Sequence, residues 1–158
     1  MRRRLWLTFA EVVALSVPLT WLWVEGGRRA YNRLLGAVAW PLFEALGLPS
    51  MKLGLVSPHF VSWLPFVVLM VVTPGLALRR RLLGTLLGLA AILAAHIGCA
   101  LLGAVSHAAY GTSARAVALR WPALMLSDAL PFILWALVAR DFLREFASRA
   151  SRRGPAPP

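Results

Sequence analysis

The sequence predicts an all-α integral membrane protein: four transmembrane helices with an extra interfacial or re-entrant helix between the first two. Three observations predict it. Hydrophobic residues make up 59% of the 158 residues and charged ones 15%, with a mean hydropathy of +0.71. The apolar residues gather into runs of about twenty, the length that crosses about 30 Å of hydrocarbon at about 1.5 Å per residue. The arginines gather at the ends of those runs, where topology determinants lie.

The first span is read at residues 5–24. Arg2, Arg3 and Arg4 ahead of an apolar run could also mark a secretory signal. That run is long for a signal core, contains Glu11, and ends in Trp21-Leu22-Trp23 rather than a small-residue cleavage site. An uncleaved span is the better reading. A polar knot, Glu25 to Arg29, separates it from a moderately apolar stretch at 34–48 that contains Gly36, Pro41, Glu44 and Gly47. About fifteen residues is short for a crossing, so this stretch is expected to lie along or dip into the interface. Residues 49–58 read as a loop.

The second span is expected at 59–78, closed by Arg79-Arg80-Arg81, and the third at 82–105. A polar loop, 106–120, precedes the fourth span at 121–139, which contains Pro131. From Arg140 a basic helix follows, then a Pro-rich tail at 154–158 expected to be disordered. With the N-terminus in the cytoplasm, eleven arginines lie inside against six cations outside (Arg28, Arg29, Arg33, Lys52, Arg115, Arg120). That bias favours both termini inside. Trp21, Trp23, Trp63 and Trp121 then fall at the outer interface. The arginine-rich, leucine- and alanine-rich composition suggests a GC-rich bacterial genome and hence an inner-membrane location.

Other classes fit less well. The net charge of +11 sits at span ends rather than in the patch a nucleic-acid footprint needs. One cysteine, Cys99, excludes an intrachain disulfide framework and a cysteine-rich metal site. No zinc spacing, phosphate-binding glycine loop or nucleophile elbow occurs, and no cofactor is implied.

Ionisable groups within a span are costly and so mark candidate sites. Glu11, His96 and Asp128 qualify. At about 1.5 Å per residue, His96 and Asp128 lie about 3–4 Å outward of the midplane, and Glu11 about 5 Å to the cytoplasmic side. His96 and Asp128 are therefore expected to meet, as interhelical glue or as a partner contact, with a proton relay as the alternative. The third span also carries Gly84-x-x-x-Gly88, continued by Ala91, Ala95 and Gly98. Such a small-residue ridge admits close helix approach, within the chain or to another protein. Cys99 could act as a nucleophile with His107 as base and Arg115 or Arg120 holding an oxyanion; otherwise it is a small apolar residue.

The layout resembles that of the small membrane proteins associated with exosortases, in particular the exosortase H-associated type. The residues that carry the likeness are the Arg-rich start, Trp6, Trp21 and Trp23, then Tyr31 leading into Leu34-Leu35-Gly36. The Arg79-Arg80-Arg81 break and the basic C-terminal region extend it. Exosortases are multispanning cysteine transpeptidases whose catalytic order is Cys, Arg, His. Here Cys99 is followed by Arg115 and Arg120 but by no histidine. The resemblance thus implies a non-enzymatic accessory subunit of a protein-sorting or envelope-assembly system, partnered with another integral membrane protein. The alternatives are a minimal membrane cysteine peptidase using Cys99, and a small oligomeric transporter using Glu11, His96 and Asp128.

Overall fold

A computed structural model describes residues 2–48 and 61–151. Every regular element among them is helical: α1 (Arg2–Leu22), a π-helical turn (Trp23–Gly27), α2 (Arg28–Ala45), α3 (Trp63–Val72), α4 (Leu78–Tyr110), α5 (Ala114–Val138) and α6 (Arg140–Ser151). The loop expected at 49–58 and the tail at 154–158 lie outside the described residues.

The first helix departs from the sequence reading at its end. The polar knot does not end the first helix. Glu25, Gly26 and Gly27 form a wide π turn, through which α1 passes into α2 without a non-helical residue. Such turns absorb an extra residue inside a helix and recur at functional positions. The segment expected at 34–48 is therefore the later part of a helix that begins at Arg28. It ends where Gly47 adopts φ +61°. There the Gly47 amide donates to the Glu44 carbonyl and the Leu48 amide to Phe43, both at 3.0 Å, the pairing of a Schellman cap.

The span expected at 59–78 does not form one continuous helix. α3 has 10 residues, about 15 Å of rise, half the hydrocarbon thickness. Pro74 explains the stop, since it holds Thr73 extended (ψ 114°) and cannot donate to the helix ladder. Four full helical crossings are thus not supported.

α4 is longer than expected, at 33 residues, because Arg79, Arg80 and Arg81 form its first turn instead of interrupting the chain. The polar loop likewise shrinks to Gly111–Ser113. The Ser113 hydroxyl caps α5 by accepting from the Ala116 amide at 3.4 Å.

Among the described residues, α4 and α5 are long and apolar enough to cross a membrane, with mean hydropathies of 2.2 and 1.6 over their most apolar windows. They form an antiparallel hairpin around which the rest is arranged. Leu35, Ala39 and Phe43 of α2, spaced one turn apart, pack on Cys99 and Ala100 of α4. Phe66 and Met70 of α3 pack on Ile92. α4 is the axis, with α3 on its first half and α2 on its second.

Candidate functional site

The two packing regions meet at His96, which is 0% exposed. Its position, four residues from both Ile92 and Ala100, puts it on the packed face of α4. The Tyr31 hydroxyl lies 2.5 Å from His96 Nδ1, and the Ser62 hydroxyl 2.9 Å from Nε2. A neutral imidazole offers one donor and one acceptor, and each hydroxyl can serve either. Either tautomer is therefore satisfied. The chain Tyr31–His96–Ser62 joins the start of α2, the middle of α4 and the residue preceding α3.

An aromatic wall closes this node. Trp23 lies 5.7 Å from Tyr31 and 5.5 Å from Trp63, centroid to centroid, and Tyr31 stacks on Trp63 at 6.5 Å. The His96 ring meets Tyr31 edge-on at 5.7 Å. In a regular α-helix, residues eight apart point about 80° apart around the axis. The wider π turn between Trp23 and Tyr31 reduces that offset, and the two rings meet. Offset and edge-to-face ring pairs of this kind each add about 0.5–1.5 kcal/mol beyond area burial.

Where the sequence suggests a meeting with Asp128, the His96 ring nitrogens instead bond Tyr31 and Ser62. His96 turns towards α2 and Ser62, whereas Asp128 is exposed on α5 and Glu11 is exposed on α1. Cys99 is buried, its thiol donating to the Ala123 carbonyl at 3.5 Å. His107 is exposed and donates to the Gly111 carbonyl at 3.2 Å. Eight residues separate it from Cys99, about 12 Å along the helix axis. Arg115 covers the Tyr110 ring at 4.8 Å, and the Arg120 Nε donates to the Ala116 carbonyl at 2.9 Å. Each thus has a local contact. No group of three or more potential metal ligands occurs among the described residues.

The small-residue ridge divides into two parts. Gly88 faces Phe66 so closely that a Cβ would lie 2.1 Å from the ring, and Gly84 faces Val138 and Met70. Ala91 and Ala95 are half-buried, and Gly98 is exposed to open space. The lower part therefore serves packing within the chain.

A second polar node holds the end of α3. The Thr73 hydroxyl accepts from Trp135 Nε1 at 2.8 Å and donates to the Leu69 carbonyl at 2.5 Å, while Arg81 donates to the Thr73 carbonyl at 2.8 Å. Beyond it, at the helix ends, Arg80 donates to the Asp141 carboxylate and Arg140 lies 3.8 Å from that group. The sequence reading places none of Tyr31, Ser62, Thr73 and Trp135 in a site. The Thr-Pro pair at 73–74 was the available signal for one of them. Tyr31 and Ser62 carry no local signal, because what selects them is a histidine 65 and 34 residues away.

No family model, curated protein or solved structure matches this chain.

Proposed function

We propose that this chain is a multispanning accessory subunit that docks onto another integral membrane protein in a protein-sorting (exosortase-like) or envelope-assembly system of the bacterial inner membrane. α1, α4 and α5 cross the bilayer. The fourth passage runs through the shorter α3, and both termini are cytoplasmic.

Two features support the membrane part. Of the most apolar windows of α4 and α5, 33% and 11% are buried. A soluble protein with that much outward apolar surface would aggregate. The positive-inside count supplies the orientation.

One observation carries the docking part. Met125, Asp128 and Phe132 are spaced to share one face of α5, and all three are exposed there. An aspartate at mid-helix costs about 2.5–3.5 kcal/mol on insertion scales. A basic or hydrogen-bonding group from a neighbouring helix offsets that cost, which makes this face a docking face. Glu11 on α1 poses the same demand.

Native expression and purification in mild detergent should return a second membrane protein in fixed ratio, and Asp128→Leu should lose it while still inserting. Deletion should give a sorting or envelope defect. A chain that purifies by itself, with no such defect, counts against the reading. Labelling of Gly26→Cys in a Cys99→Ala background tests orientation, and a cytoplasmic Gly26 would refute it.

A further inference from the structure

At the start of α4 a cleft of about 440 Å³ is lined by Ala77, Arg79, Arg80, Leu83, Gly84 and Val138. Its mouth is basic and its floor apolar. Residues 77–84 and 138–148 together hold five arginines (79, 80, 81, 140 and 144) against two carboxylates, Asp141 and Glu145. The Arg80–Asp141 pair is solvent-accessible, with side chains 38% and 60% exposed, so water and salt weaken it. Below the mouth, Arg79, Leu83 and Leu87 follow one another at one-turn spacing on the same face of α4. Leu83 and Leu87 are 49% and 70% exposed. Val138 packs directly on Gly84, where a Cβ would lie 2.8 Å from it, and closes the inner wall of the cleft.

This arrangement has the shape of an amphiphile. Two guanidiniums stand above an exposed leucine stripe, at the level where the hydrocarbon run of α4 begins. A free phosphate ion would use the arginines and leave the leucines without a role. Basic pockets between helices on the cytoplasmic side suit anionic headgroups. Guanidiniums also pair with phosphate oxygens in two-pronged geometry.

We propose that this cleft binds an anionic phospholipid, its phosphate held by Arg79 and Arg80 and one acyl chain lying along Leu83 and Leu87. The inference rests on the membrane reading given above. Asp141 acts as a competitor that occupies Arg80 when no lipid is bound.

Native mass spectrometry of the full chain in mild detergent tests it, with phosphatidylglycerol, phosphatidylcholine and glycerol phosphate as probes. Phosphatidylglycerol should be retained about tenfold or more over phosphatidylcholine, as two arginine contacts imply. Arg79→Ala/Arg80→Ala should remove the preference, and Asp141→Asn should strengthen retention. Glycerol phosphate should compete poorly. Equal retention of the two lipids, a preference that survives loss of both arginines, or full competition by glycerol phosphate overturns the proposal. An alkaline membrane wash separates the two readings. A chain that stays integral without a lipid preference sinks this inference only, whereas a chain released by the wash sinks both.

Discussion

The node around His96 and the basic rim around Arg80 use polar groups in opposite ways. At His96 the imidazole is 0% exposed, both ring nitrogens are engaged, and two segments distant in sequence supply the hydrogen bonds. At the rim, Arg80 and Asp141 are both partly open to solvent. The first arrangement fixes how helices sit. The second leaves charge free to exchange one partner for another. Polarity within an apolar chain thus has two outcomes, and the number of elements that converge on a group decides between them.

The closed side should be the easier one to break. Gly88→Leu places a side chain where even a Cβ would lie 2.1 Å from the Phe66 ring, and Phe66 is itself fully buried. Overpacking of this kind costs about 1–3 kcal/mol or more, and α3 should lose its seat on α4. Thermal unfolding in detergent, together with protease sensitivity near Trp63, would register it. Unchanged stability would mean that α3 does not pack as described.

His96→Leu should come next. It removes two interhelical hydrogen bonds, each worth about 0.6 kcal/mol on average in membrane proteins and about 1.7 at most. A loss of about 1–3 kcal/mol is expected. The combined variant His96→Leu/Tyr31→Phe/Ser62→Ala sharpens the comparison, since replacing all partners by apolar groups can be nearly neutral. If the node serves packing, the triple variant should recover much of the stability and retain function. If it relays protons, stability returns but flux in liposomes does not. A triple variant no more stable than His96→Leu would show that the three groups do not act as a unit.

What the sequence made legible follows the same division. Apolar runs and the arginines at their ends are local features, and they located α1, α4 and α5. The chemistry that ended α3 early was also in view, because Pro74 sits inside the proposed span. The continuity of α1 with α2 was not legible, since Gly26-Gly27 beside charges reads as a break until packing on Trp23 and Tyr31 holds it helical. His96 was recognised as a candidate from burial cost, but its partners were not. Matching depth points to Asp128 on α5, whereas packing turns the imidazole towards α2. Pairings across 34 and 65 residues are tertiary facts.

The smallest expected effect belongs to the open side. The hydrogen bond from Arg80, followed by the charges of Arg80, Arg140 and Arg144, holds the Asp141 carboxyl below the usual carboxylate range despite the desolvation that opposes it. A depressed folded-state value means that this group stabilises the fold at pH above the ordinary carboxylate range. The contribution fades as pH falls through the depressed value and the carboxylate is protonated. Wild type and Asp141→Asn should therefore differ slightly at neutral pH and low salt, and converge in acid. High salt should shrink the difference as well, because both side chains are exposed. The node at His96, shielded from ions, should show no such salt response. Equal salt sensitivity of Asp141→Asn and His96→Leu would break the distinction between a closed node and an open rim.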